Sequence, residues 1–179
     1  MKQQTTLPPE VIMLFVTQAK RGDKEALDAL YRHYAWPMRR FAITRVNDPM
    51  IAEDLVQNVW LKIEKRLHRL NDLTLFQSWL YRALKWEILD WAKSAKSQVG
   101  NEQDNQPDNS LQMTSLPPLL AALPESEREV VELIYLNGLC IEQAALVINI
   151  PAGTVKSRLY RARAKLRAIL NEEVDHETG

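Results

Sequence analysis

The chain has 179 residues, 46% hydrophobic and 26% charged, with 23 Lys and Arg against 23 Asp and Glu and only five Gly. That length allows one ordinary domain or two small ones, each near the lower limit for an independent core. A single cysteine, Cys140, excludes an intramolecular disulfide and fits a reducing compartment.

The N-terminal apolar run IMLFV is too short to span a bilayer, and the residues around it lack a basic n-region and a small-residue cleavage site. A soluble, cytoplasmic protein is expected. No stretch alternates apolar and polar residues as a half-buried strand does, so the fold class is all-α. The first helix covers about 9–20 and closes at Gly22-Asp23. Asp23 caps a second from Lys24 to about Val46, with a kink at Pro37. Asp48 caps a third, Pro49 takes its first position, and it runs to about Leu70. A fourth, FQSWLYRALKWEILDWAKSAK, follows NDLT.

Composition then changes to SQVGNEQDNQPDNSLQMTS, which offers too little apolar surface to offset its ordering entropy. As a flexible linker of roughly 20 residues it would span about 25 Å on average. Two small helical domains on one tether are therefore expected, at 1–97 and 116–171, with a linker at 98–115 and an acidic tail at 172–179. In the second domain PPLLAALP is a short helix. Ser126 and Glu129 have capping-box spacing for EREVVELIYL, and Asn137-Gly138 ends that helix. IEQAALVI follows, with Asn149 placed for a left-handed C-terminal residue and Pro151 barring continuation. A last helix, PAGTVKSRLYRARAKLRAIL, completes a helix-turn-helix pattern.

The zero total charge hides segregation. Residues 151–170 carry six Lys or Arg and no Asp or Glu, whereas the tail NEEVDHETG carries four acids and no Lys or Arg. Local fields, more than the sum, decide what a surface attracts. At about 100° per residue, Val155, Leu159, Ala162, Leu166, Ile169 and Leu170 form one stripe for packing. Opposite lie Ser157, Tyr160, Ala164 and Ala168. Lys156, Arg163 and Arg167 make one rim of that crest, and Arg158, Arg161 and Lys165 the other. A small or polar crest between cationic rims suits a helix lowered into the DNA major groove, with the rims on phosphates. A merely solvated helix would mix charge signs for i,i+4 pairing, and this one does not.

The segment LPESEREVVELIYLNGLCIEQAALVINIPAGTVKSRLYRARAKL resembles the −35-reading domain of extracytoplasmic-function (ECF) sigma factors. GTVKSRLYRARAKL carries most of that likeness. Upstream, ALYRHYAWPMRRFAI, AEDLVQNVWLKI and FQSWLYRALKWEILDWAK resemble the same family's first domain, in order. The resemblance implies −35 contacts from Thr154, Lys156, Ser157, Arg158, Tyr160, Arg161 and Arg163. The wheel independently sets Ser157 and Tyr160 on the crest and Lys156 and Arg161 at its edges.

On the third helix Ala52, Leu55, Val56, Val59 and Ile63 form a stripe for burial, opposite Asp54, Gln57, Asn58 and Leu61. By resemblance those four bind core RNA polymerase, with Asn58 where the family has Glu. In the fourth helix Leu80, Leu84, Ile88 and Trp91 make the core side, and Trp79 is expected to fill the core. The resemblance implies −10 contacts from His68, Arg69, Asn71, Arg82, Trp86 and Asp90, with Trp86 where the family commonly has Asn. Aromatic rings beside cations can stack unpaired bases.

The implied partners are core RNA polymerase, promoter DNA and an anti-sigma factor, with no small-molecule substrate and no cofactor. His33, His68, His176 and Cys140 show no paired ligand spacing, so no metal is expected. Cys140 stands where the family has an N-cap Ser, and a thiol should cap poorly. Two alternatives stay open on the residues alone: a response-regulator-type activator, and a helical protein-binding adaptor without DNA contact.

Overall fold

The computed structural model describes residues 7–98 and 118–177, so the proposed linker at 98–115 lies almost wholly outside the described residues. Every regular element among the described residues is helical: α1 (Pro9–Lys20), α2 (Lys24–Val46), α3 (Pro49–Arg66), α4 (Phe76–Gln98), α5 (Pro118–Ala121), α6 (Glu125–Val131), α7 (Ile141–Ile148) and α8 (Ala152–Glu177). The chain divides into two compact units, Met1–Gln112 and Met113–Gly179. None of the described helices is long and apolar enough to cross a membrane.

In the first unit the caps are local chemistry. The Asp23 carboxylate accepts from the N–H groups of Glu25 and Ala26, and Asp48 accepts from Met50 and Ile51, with Pro49 at the first helical position. Each satisfies backbone donors that have no partner inside the helix. α2 ends at Asn47, whose φ of 54° is the left-handed stop. It runs unbroken through Pro37. α3 ends earlier than expected, at Arg66. The chain tightens into a 3₁₀ turn, Leu67–Arg69, because Leu67 must enter the core there.

α2 packs against α1, α3 and α4. All five residues of the expected α3 stripe are buried, together with Trp60. Leu30, Tyr34, Met38 and Phe41 of α2 meet Phe76, Leu80, Tyr81 and Leu84 of α4 in the same core. Edge-to-face contacts join Tyr34 to Phe76 and Phe41 to Tyr81, at 5.8 and 5.5 Å between ring centroids. The expected core side of α4 needs correction. Tyr81 is fully buried, whereas Trp91 and Trp79 are only half-buried. Tyr81 lies against Phe41 of α2, whereas Trp79 borders a groove between α3 and α4.

In the second unit α6, α7 and α5 pack on α8. The expected Ser126–Glu129 capping box is absent. Pro124 is the N-cap, its carbonyl accepting from Glu127 and Arg128 at 3.0 and 2.9 Å. Ser126 therefore stands inside the first turn, where its backbone is helical and cannot cap. After Val131 the helix widens into one π turn, Glu132–Leu136, and stops at Gly138 with φ of 70°. Cys140 caps α7. Its Sγ accepts from the Gln143 N–H at 3.4 Å, and the Gln143 side chain accepts from the Cys140 N–H at 3.0 Å. Asn149, with φ of 55°, ends α7 as expected, and Ile150-Pro151 leads into α8.

Glu127 of α6 is a buried carboxylate facing α8. It accepts from Arg161 Nε at 3.2 Å and from Lys165 Nζ at 2.8 Å. The Lys165 hydrogen bond does most to hold its carboxyl below the ordinary value of 4.5; burial opposes this and Arg161 adds to it.

A thiol accepts a backbone hydrogen bond weakly, so Cys140→Ser should stabilise the second unit by about 0.5–1 kcal/mol, read as slower hydrogen exchange in α7. Glu127 contributes stability that is complete above its unfolded pKa and lost as pH falls through its lower folded value. Exchange protection of α8 in the wild type should therefore exceed that of Glu127→Gln near neutral pH, and the gap should close as pH falls through the lowered folded-state pKa of Glu127.

Candidate nucleic-acid and partner interfaces

Val155, Leu159 and Ala162 are buried against the rest of the second unit and fix which face of α8 is outward. Leu166 and Ile169 continue the stripe half-buried. Leu170 is exposed, contrary to expectation, because α8 extends beyond the helices it packs on. Outward lie Lys156, Ser157, Tyr160, Arg161 and Arg163, with Thr154 and Arg158 half-buried beside them. Tyr160 is 76% exposed, although a tyrosine on a purely structural helix buries its ring. Ser157 Oγ donates to the Thr154 carbonyl at 3.0 Å.

The cationic rims are less uniform than the wheel suggests. Arg161 and Lys165 meet Glu127, and Arg163 Nε donates to the Tyr135 hydroxyl at 2.7 Å. Lys156 and Arg158 have no ion pair among the described residues. Glu127 and Tyr135 are missed from the sequence. A signal for Glu127 exists, since it lies three and four positions before the buried Val130 and Val131. That spacing turns a carboxylate inward, toward the one helix able to neutralise it.

In the first unit His68 and Arg69 lie on the 3₁₀ turn and Asn71 in the loop after it. Lys20 Nζ donates to the Leu70 carbonyl, and Asp72 Oδ1 accepts from the Thr74 N–H at 2.9 Å, which fastens this loop at both ends. Arg82, Trp86 and Asp90 share one exposed face of α4. The structure brings Arg82 and Trp86 together, but not the other four, in a groove of about 370 Å³ between α3 and α4. Its other walls are Lys62, Ile63, Arg66, Trp79, Ala83 and Glu87. Trp79, assigned to the core by sequence, is thus a groove wall, and Trp86 is 54% exposed. Lys62 and Glu87 pair across the groove, while Arg66 and Arg82 make no ion pair among the described residues. Two indoles beside two guanidinium groups can take a flat aromatic ligand attached to an anion.

Asp54, Gln57, Asn58 and Leu61 are all exposed on α3, and Leu61 is 57% exposed. Gln57 and Leu61 border a second groove of about 440 Å³, between α2 and α3, with Leu27, Tyr31 and Trp60 as its apolar walls. The Trp60 indole N–H is buried without an acceptor among the described residues. A partner helix with an apolar ridge and one acceptor would satisfy both features.

Residues 30–98 match Sigma-70 region 2, and residues 115–166 match Sigma-70, region 4. SigM of Bacillus subtilis (strain 168), an ECF RNA polymerase sigma factor, is 26% identical over 162 residues, spanning 84% of this chain and 99% of that protein. EcfG of Rhodopseudomonas palustris (strain TIE-1), another ECF RNA polymerase sigma factor, is 30% identical over 148 residues, 74% of this chain and 78% of that one. The sigma factor RpoE of Bartonella quintana, solved in complex with the anti-sigma factor NepR, has a TM-score of 0.56 and 26% identity, covering 80% of this chain and 97% of that one. Neither a response-regulator-type activator nor a DNA-free adaptor accounts for region 2 and region 4 in this order. With its two helical units and a helix after a tight turn that carries no acid within 151–170, the chain belongs to the ECF RNA polymerase sigma factors of the sigma-70 family.

Proposed function

We propose that the two units divide promoter recognition between them. Residues 1–97 hold core polymerase through Asp54, Gln57, Asn58 and Leu61 and take up the opened −10 strand. Residues 116–171 read the −35 element through Thr154, Lys156, Ser157, Arg158, Tyr160, Arg161 and Arg163. The observation that carries this reading is the outward face of α8, with Lys156, Ser157 and Tyr160 exposed and no acid within 151–170.

On the −10 side, His68, Arg69, Asn71 and Asp90 contact DNA around the groove, while Arg82 and Trp86 line it. An extruded base stacks on Trp86, and Arg66 and Arg82 hold its phosphates. Trp in place of the family's usual Asn exchanges hydrogen-bond reading of that base for stacking, which tolerates sequence. Joining two weak DNA contacts in one chain makes the second effectively intramolecular.

The protein acts in the cytoplasm and is not itself an enzyme; RNA synthesis belongs to polymerase, so it needs no cofactor, metal or small-molecule substrate. A protein anti-sigma factor, as seen on the Bartonella RpoE, would silence it by covering the same exposed faces.

Run-off transcription by core polymerase on genomic fragments, with and without the chain, tests the reading. Initiation at discrete sites only in its presence is the expected result. Leu61→Asp should weaken binding to core polymerase at least tenfold, measured by competition against wild type; unchanged affinity would remove α3 from the polymerase surface. Trp86→Ala should leave core affinity intact and cut permanganate-reactive open complexes about tenfold, the equivalent of about 1–3 kcal/mol of stacking. Equal reactivity would show that the indole does not hold the opened strand.

A further inference from the structure

We propose that Glu127 is a positioning residue for −35 reading: it fixes the Arg161 guanidinium for base contact and restrains that rim of α8 from gripping phosphates indiscriminately. The inference rests on the assignment of α8 to the −35 element.

Glu127 lies on α6, outside the helix-turn-helix, and its side chain is 6% exposed. Both of its oxygens are used, Oε1 by Arg161 Nε and Oε2 by Lys165 Nζ. The two cations are half-exposed, at 53% and 46%, so each keeps one side toward solvent. Arg161 is held by Nε alone. Its two terminal nitrogens have no acceptor among the described residues, and they form the edge that donates a bidentate pair to guanine O6 and N7. A guanidinium tethered at Nε loses less conformational freedom on meeting a base than a free one does.

Charge gives the second half of the argument. Arg158, Arg161 and Lys165 would present three positive charges to the backbone. The Glu127 carboxylate reduces that rim to a net two and engages the Lys165 ammonium directly. Phosphate attraction is independent of sequence, whereas a fixed fork is sequence-reading. Glu127 thus shifts the rim from affinity toward discrimination. Arg163, held by the neutral Tyr135 hydroxyl, undergoes no such loss of charge.

The test uses the full-length chain and two measurements. Binding to a random duplex of about 20 base pairs, followed by fluorescence anisotropy across a salt series, counts the phosphate contacts. Transcription by the reconstituted holoenzyme from a promoter selected by the wild type, compared with the same promoter carrying a scrambled −35 element, gives discrimination. Glu127→Gln keeps the shape and removes the charge. It should bind the random duplex about threefold to tenfold more tightly, with a log-log salt slope steeper by about one, and the promoter-to-scrambled ratio should fall severalfold. Adding Arg161→Ala to Glu127→Gln should abolish the gain in slope.

A Glu127→Gln protein with unaltered slope and ratio overturns the proposal. So does one that binds the random duplex more weakly than the wild type, which is what a merely structural Glu127 would give. A wild-type holoenzyme indifferent to scrambling the −35 element overturns the −35 assignment itself, and the proposal with it.

Discussion

Everything the second unit presents to a partner depends on how α8 is rotated about its own axis. Burial of Val155, Leu159 and Ala162 sets that rotation, because these three small or medium apolar residues close the core made by α6 and α7. A slip of one residue would turn each side chain by about 100° and bring Lys156 or Tyr160 into that core. Burying an unpaired ammonium costs several kcal/mol, so the register has no close competitor. The positive φ at Asn149 and the proline at 151 then leave room for only one further residue, Ile150, between the helices. Packing and turn together hold the polar crest outward.

The first unit solves a different problem with the same materials. A short four-helix body must bury enough apolar surface to be stable and still leave rings available to a ligand. Phe76 and Tyr81 enter the core and engage α2 edge to face. Trp79 and Trp86, on another side of α4, form a groove with α3. Each fully buried aromatic contributes about 1.5–3 kcal/mol through area alone. A ring left at the surface gives up that gain, which is why an exposed tryptophan beside two guanidinium groups carries functional meaning.

Most of the architecture was legible because its signals are local. Asp23, Asp48, Pro49 and Asn149 act within one turn of their own backbone, and the apolar stripes of α3 and α8 follow from helical spacing. What escaped depends on contacts distant in sequence. Ser126 has cap spacing, but Pro124 begins the helix first. Leu170 continues the stripe of α8 beyond the point where anything covers it. Trp79 and Tyr81 are indistinguishable by hydrophobicity, and only packing on α2 decided that the tyrosine goes inside. Glu127 is an ordinary helix-surface acid until α8 is laid against it, 34 and 38 residues later. Cys140 was expected to cap poorly, and Gln143 reinforces it by closing the box from the other side.

The length of α8 has one more consequence. Its backbone stays helical to Glu177, at about 1.5 Å per residue a rod of nearly 40 Å, and the sequence places Glu172, Glu173, Asp175 and Glu177 at its far end. The peptide dipoles make its beginning positive and its end negative, and the sequence orders its formal charges the same way, basic over 151–170 and acidic after it. The two contributions add into one electric moment along the rod. A polyanion therefore exerts a torque on this unit before touching it, drawing the Thr154 end inward and pushing the acidic end away.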